Sequence, residues 1–258
     1  VAGPRFLCRS CGNSAPDLPV KFGGMKLKRS IPSWRHVFKL DPDRTLDAAA
    51  LEAICLSGTD AVLVGGSSGV TYDNTVELLS RVRQYEVPCV LEVSELEAAV
   101  PGFDLYLIPT VLNSRHPDWI IGHHARAVEQ YSYLIPWDDV VPEGYIILNA
   151  GCTAALISEA NASLTASEAA AYAQVADRLL RLPIVYLEYS GVLGDLELVS
   201  TVHRSLENAQ LFYGGGITDA GTARMAAAAC DTIVVGNALY SDLEQALSTV
   251  AAVKQRHV

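Results

Sequence analysis

The sequence is short of positive charge: 19 lysines and arginines stand against 29 aspartates and glutamates, a net charge of −10. A nucleic-acid binder needs a basic stripe to replace phosphate counterions, so that class is excluded. No run approaches the roughly 18 apolar residues of a membrane span, which limits lipid contact to the periphery and leaves a cytoplasmic enzyme as the expectation. The chain also lacks a G-x-x-x-x-G-K-[ST] nucleotide loop and an H-E-x-x-H zinc helix. Its six cysteines are scattered, and Cys55, Cys89, Cys152 and Cys230 sit in apolar stretches where a reduced thiol acts as a small hydrophobe. No disulfide framework is expected. Cys8 and Cys11 form a lone C-x-x-C without the second pair that a zinc knuckle needs.

What the chain does have is rhythm. Short runs rich in Val, Ile, Leu and Tyr recur at 37–40, 61–65, 88–93, 105–110, 145–149, 184–189, 211–214 and 232–236. Helix-like stretches with apolar residues three and four apart fall at 46–57, 74–84, 119–133, 166–180, 195–207 and 219–229. Strand alternating with helix implies a parallel sheet, and continuous apolar strands imply a sheet covered on both faces. At 258 residues, the expectation is one modified (β/α)₈ barrel. Residues 1–24, without periodicity and ending in Gly23-Gly24, read as an appended tail, so the barrel domain is set at 25–258. One interval breaks the pattern. Residues 94–104, which include Pro101-Gly102, are too few for a crossover helix with its connections. The third helix is therefore expected to be missing or reduced, leaving a gap in the wall beside Leu96, Val100, Phe103 and Tyr106 where a long apolar ligand could lie.

Functional residues of such barrels gather at the C-terminal ends of the strands. Tyr213-Gly214-Gly215-Gly216-Ile217 and Ile233-Val234-Val235-Gly236-Asn237 end the last two strands in glycine. Glycines let the backbone approach an oxyanion, and the helix start at Thr218-Asp219 is expected to turn N–H groups toward it, so a phosphate ligand is predicted. Lys39 and Asp41 end the first strand on one face; lysine suits an anion and aspartate a divalent cation, with a rim ion pair as the alternative. The loop Gly65-Gly66-Ser67-Ser68-Gly69 offers hard hydroxyl oxygens. In the sixth strand, period two places Tyr186, Glu188 and Ser190 on one face. An acid in an apolar strand is costly unless paired or functional, which makes Glu188 the candidate general base, with Tyr186 beside it, or else a structural partner of a barrel lysine. Adjacent His123 and His124 on a helix point in different directions and do not suggest a metal site.

Taken together, the segments Trp34 to Pro42, Val64 to Ser67, Tyr186 to Asp195, Tyr213 to Ile217 and Val235 to Ala238 resemble the PcrB family, bacterial heptaprenylglyceryl phosphate synthases related to archaeal geranylgeranylglyceryl phosphate synthases. The resemblance runs in order from Trp34 to Lys254. It implies a barrel without its third helix, a homodimer, Mg²⁺ dependence, and transfer of a polyprenyl group from its diphosphate to sn-glycerol 1-phosphate. By matching position it implies that Lys39, Tyr186, Leu187, Glu188, Tyr189, Ser190, Gly191, Gly216, Gly236 and Asn237 hold glycerol phosphate and that Asp41 and Ser67 serve Mg²⁺. Phe103, Tyr106 and Ala127 would line the prenyl groove, the small Ala127 permitting a longer chain. A phosphate-binding isomerase or lyase, or a noncatalytic binding module, would share the glycine anchors without needing an apolar groove.

Overall fold

Eight parallel strands close into a barrel in chain order. They are β1 (His36–Leu40), β2 (Ala61–Val64), β3 (Cys89–Glu92), β4 (Leu105–Val111), β5 (Val140–Ile147), β6 (Ile184–Glu188), β7 (Gln210–Gly214) and β8 (Thr232–Val235). The helices are α1 (Gly24–Lys28), α2 (Ala48–Leu56), α3 (Tyr72–Val82), α4 (Gly122–Tyr131), α5 (Thr153–Ser158), α6 (Ala166–Gln174), α7 (Leu196–Ser205), α8 (Ala220–Ala227) and α9 (Leu243–Lys254). This is a computed structural model that describes residues 24–254. The Cys8–Cys11 pair and the rest of the expected tail up to residue 23 lie outside the described residues.

Period two along each strand divides the core into two shells. Val37, Leu63, Val90, Leu107, Ile147 and Phe212 point into the barrel, whereas Phe38, Val62, Leu91, Ile146, Leu187 and Leu211 meet the helices. Strands β2, β3, β6 and β8 are buried along their whole length, as the continuous apolar runs predict. Helix starts are fixed locally. Thr71 caps α3 with Asn74 and Thr165 caps α6 with Glu168, each a reciprocal capping box worth about 1 kcal/mol.

Between β3 and β4 the chain makes only a three-residue 3₁₀ turn, Leu96–Ala98, so the third helix is reduced as expected. The gap in the wall does not follow. Val100, Phe103 and Tyr106 fold inward and are buried, with the Phe103 and Tyr106 rings 6.0 Å apart edge to face. The Tyr106 hydroxyl donates to Val100 O at 3.1 Å and accepts from Gly102 N at 3.0 Å. The segment thus plugs the space a helix would occupy. A buried ion pair staples it down: Arg83, at the C-terminal cap of α3, reaches Asp104 Oδ2 at 2.7 Å and donates to Gly102 O at 2.5 Å. The same Asp104 oxygen accepts from Cys89 N at 2.8 Å.

Two other elements depart from the sequence expectation. Strand β5 starts at Val140, five residues ahead of the run at 145–149, because Pro142-Glu143-Gly144 reads as a turn but pairs with β4 and β6. Gly144 is needed there, since a Cβ would lie 2.9 Å from Ala176 Cβ. The helix expected at 166–180 ends at Gln174 and passes into a π turn, Val175–Leu179. The Asp104→Ala variant should lose about 3 kcal/mol of stability, because it strands the buried Arg83 guanidinium; urea unfolding checks this, and an unchanged midpoint would show that the third interval does not depend on the pair.

Candidate active site

Toward its C-terminal end the interior face of the barrel carries charged groups. Lys39 leaves β1 inward and donates to Glu92 Oε2, at the end of β3, at 2.5 Å. Its ammonium also stands 5.7 Å from the centre of the Tyr186 ring. Burial alone would lower the lysine pKa, but Glu92 and Glu188 outweigh it and hold the ammonium above its ordinary value. Tyr186 stacks on Tyr145 of β5, with centroids 4.6 Å apart and planes 17° from parallel. Burial, followed by the Glu188 charge, raises both phenols well above the ordinary range, so both are hydroxyl donors at neutral pH.

Glu188 closes β6 and is buried. Its Oε2 accepts from the Tyr145 hydroxyl at 2.7 Å, and its Oε1 accepts from Ser190 N at 2.5 Å and Ser190 Oγ at 2.9 Å. The lysine partner in the barrel is Glu92, so Glu188 is not a simple structural counter-ion. It is an oriented acceptor at the mouth. The carboxylate bends the chain around itself, and Ser190 takes a positive φ of 33°. Asn149 supports this turn from the loop after β5, its Nδ2 donating to Tyr189 O and Ser190 O at 3.1 Å each.

The loops after β6, β7 and β8 meet at glycine. A Cβ on Gly191 would lie 3.2 Å from Asn237 Nδ2, and one on Gly236 would lie 3.5 Å from Lys39 O. At Gly216, φ is +49° and a Cβ would overlap the Leu193 backbone nitrogen. Ser190, Gly191, Gly216, Gly236 and Asn237 are therefore brought together as a backbone-lined cradle. Leu187 differs from this set, facing the helices instead of the barrel interior. Tyr189 likewise packs outward, its ring 6.0 Å from Tyr213. The Thr218 and Asp219 amides do not face the cradle. Both donate to Thr222 Oγ1, and the Asp219 carboxylate caps Gly221 N and Thr222 N. The 3₁₀ turn Asn237–Tyr240 after β8 has no such side-chain cap. Arg44 reaches into this edge, donating to Asn237 Oδ1 at 3.2 Å and lying over the Tyr240 ring at 3.8 Å.

Asp41 sits just above Lys39, its N–H donating to the Tyr240 hydroxyl at 2.8 Å. A Cβ on Gly66 would lie 2.6 Å from Asp41 Oδ1, so the carboxylate rests on the loop that carries the exposed Ser67. These are hard oxygens from two neighbouring strand ends. Among the described residues no three His, Cys, Asp or Glu side chains group as metal ligands. A donor set of this kind fits Mg²⁺, which keeps several waters and takes ligands from substrate phosphates. Phe103 and Tyr106 lie in the plugged third interval, closed from the mouth by burial, and Ala127 is half-buried on α4. His124 Nε2 donates to Pro109 O at 3.0 Å, and His123 packs on Trp119.

Two interior acids escaped the sequence reading. Glu92 is an acid in an apolar strand, the same signal that marked Glu188. Glu143 was concealed inside the turn-like Pro142-Glu143-Gly144, yet it is fully buried on the inward face of β5. Burial, reinforced by Glu92 and Glu188 against Lys39, raises its pKa well above the carboxylate range.

A closed barrel with a glycine cradle over the last strands and an oriented carboxylate beside it defines a phosphate-binding (β/α)₈ enzyme scaffold. More specifically, the chain belongs to the PcrB family, whose model matches residues 29–254. It is 55% identical over 225 residues to the heptaprenylglyceryl phosphate synthase of Geobacillus kaustophilus, covering 87% of this chain and 94% of that one. It is 56% identical over 224 residues to the Bacillus subtilis protein of the same name, covering 87% and 98%. The fold matches the crystal structure of (S)-3-O-geranylgeranylglyceryl phosphate synthase from Thermoplasma acidophilum in complex with sn-glycerol-1-phosphate, with a TM-score of 0.79, 22% identity, and 90% of this chain and 99% of that one covered.

Replacing Gly216 with alanine should destabilise the protein by about 1–3 kcal/mol, since the left-handed φ and the Leu193 contact both resist a side chain. Urea denaturation reads this, and an unchanged midpoint would mean that the 191–194 loop yields freely.

Proposed function

We propose that the chain transfers a long prenyl group, heptaprenyl, from its diphosphate to the C3 hydroxyl of sn-glycerol 1-phosphate, releasing diphosphate. The observation that carries this reading is Glu188, a buried carboxylate oriented by Tyr145 and Ser190 and set between a lysine and a backbone-lined anion cradle. The similarity to named heptaprenylglyceryl phosphate synthases over 87% of the chain supports the same substrates.

Acceptor binding begins at the cradle. Gly216, Gly236 and Asn237 hold the phosphate through the backbone, Lys39 supplies cationic charge from below, and the glycerol extends toward Glu188. This placement converts an encounter between two substrates into a reaction between neighbours. Tyr186 donates to the glycerol, and Glu188 accepts the C3 hydroxyl proton as the oxygen bonds to prenyl C1. The carbon–oxygen bond to diphosphate breaks in the same event, and its electron pair leaves with the diphosphate. Mg²⁺, held by Asp41 and Ser67, would neutralise the charge that develops on the departing diphosphate.

The apolar chain extends away from this polar end toward α4, where Ala127 leaves space that a bulky side chain would fill. Because Phe103 and Tyr106 are packed in the closed third interval, lining the groove would require that interval to open. The reading includes a cytoplasmic homodimer with at most peripheral membrane contact. No helix among the described residues is long and apolar enough to cross a membrane.

The decisive assay incubates the purified chain with Mg²⁺, each enantiomer of glycerol phosphate and a ladder of prenyl diphosphates, and identifies the ether lipid by mass. Product is expected with sn-glycerol 1-phosphate and the long donors, and EDTA should abolish it. Absence of product with every pairing would sink the reading. The Glu188→Gln variant should lose about 10²–10⁴-fold in kcat while still binding acceptor, the range for removal of a general base. In the same assay Ala127→Trp should shorten the longest chain accepted; unchanged selectivity would remove Ala127 from the groove.

A further inference from the structure

Three oxygens buried in the barrel have no donor. Glu143 Oε1, Glu143 Oε2 and Glu92 Oε1 are enclosed without a hydrogen-bond partner among the described residues, and Glu143 is fully shielded from solvent. It belongs to the inward column of β5, in line with Val141, Tyr145 and Ile147. Lys39, Glu92 and Glu143 come from β1, β3 and β5, and alternate strands supply the side chains of one interior layer in barrels of this kind. That layer holds one ammonium and two carboxyl groups, and the ammonium is already engaged by Glu92 Oε2.

An ionised carboxylate with no donor in such a place carries a large desolvation penalty, and a leucine would fill the space without it. A proton removes the conflict. It turns one oxygen of Glu143 into a donor, in the layer that also contains the unfilled acceptor Glu92 Oε1.

We propose that Glu143 is a built-in neutral acid, a positioning residue that contributes a donor but adds no carboxylate charge to those of Glu92 and Glu188 around Lys39, which thereby keeps its pull on the acceptor phosphate. This rests on the reading that Lys39 serves glycerol phosphate. If Glu143 were ionised, a third carboxylate would act on the one ammonium and acceptor affinity would fall. The groups that face it are Lys39 from β1, Glu92 from β3, Tyr145 from its own strand, and Tyr186 and Glu188 from β6. Lys39, Tyr145 and Tyr186 are all held above their ordinary values and keep their protons where free lysine and tyrosine do.

The Glu143→Gln variant separates charge from shape, because the amide mimics the protonated acid. The first readout is independent of turnover. At neutral pH the infrared difference between wild type and E143Q should contain the carbonyl stretch of one protonated carboxylic acid; loss of a carboxylate band in its place overturns the proposal. Melting gives the sign. A carboxyl pKa raised on folding contributes stability that is complete below the unfolded pKa of about 4.3 and is lost as pH rises toward the folded value. The melting temperature of E143Q should therefore gain on that of wild type between about pH 5 and pH 8, and a constant difference would count against a buried neutral acid.

The second readout is kinetic. On its alkaline limb the wild-type kcat/KM for glycerol phosphate should fall by up to about tenfold per pH unit, mainly through KM, and in E143Q that fall should move to higher pH. Coincident limbs overturn the positioning role. If wild type makes no ether lipid at all, the prenyl-transfer reading fails, while the infrared and melting results still decide the proton. E143M supports both of those comparisons if E143Q does not fold.

Discussion

Placing a lysine inside a closed barrel dictates much of what surrounds it. A (β/α)₈ interior is filled with packed side chains and leaves an ammonium little solvent; Lys39, with 19% of its side chain exposed, draws on a carboxylate within reach, and Glu92 provides it at 2.5 Å. That carboxylate in turn requires space. A Cβ on Gly65 would lie 3.1 Å from Glu92 Cβ and 3.4 Å from its Oε2, so the end of β2 is glycine. The face of Tyr186 lies near the ammonium, and its hydroxyl projects over Gly214, where a Cβ would overlap it. Two of the glycines at the mouth are thus consequences of what the barrel contains. The glycines of the cradle proper answer to other neighbours: Gly191 to Asn237, Gly216 to the backbone of the 192–193 loop, and Gly236 to Lys39 O.

Closure of the barrel is secured independently of this site. With no helix between β3 and β4, the shell there would be thin, and the solution is local: an apolar plug of Val100, Phe103 and Tyr106 and one buried ion pair linking α3 to the strand that follows. At the opposite, N-terminal end, His36 lies between Thr59 and Thr249, and burial brings its pKa down to about 3, so it is a neutral hydrogen-bonding strut. Neither arrangement requires anything of the mouth, which leaves the cradle and Glu188 free to be shaped by ligand.

How much of this was legible in the sequence follows from what each signal encodes. Apolar runs report burial, and burial of both strand faces is a direct consequence of the fold, so the eight strands and the reduced third helix could be read. Glycine-ended strands report close backbone approach, which located the cradle. What could not be read is partner choice. Whether Lys39 meets Glu92 or Glu188 depends on strands that lie fifty or more positions away, and no local pattern carries it. The amides at Thr218-Asp219 illustrate the same limit, since a capping box with Thr222 consumed groups that a helix start offers in principle. Glu143 was lost for another reason: proline and glycine on either side imitate a turn, whereas here Gly144 answers to Ala176 on the helical layer.

The geometry of Glu188 also bears on selectivity. A carboxylate has about four lone-pair sites. Ser190 N and Oγ take two on Oε1, and the Tyr145 hydroxyl takes one on Oε2. One acceptor position on Oε2 remains, and Tyr186 stands on the same inward face of β6. On the proposed prenyl-transfer reading, an incoming alcohol would enter that single position with Tyr186 as its second partner. With the phosphate in the cradle, the distance from phosphate to base would select which hydroxyl arrives, and the other would point elsewhere. Regiochemistry would then need no dedicated side chain for the second hydroxyl; it would follow from a base that has one position left to offer.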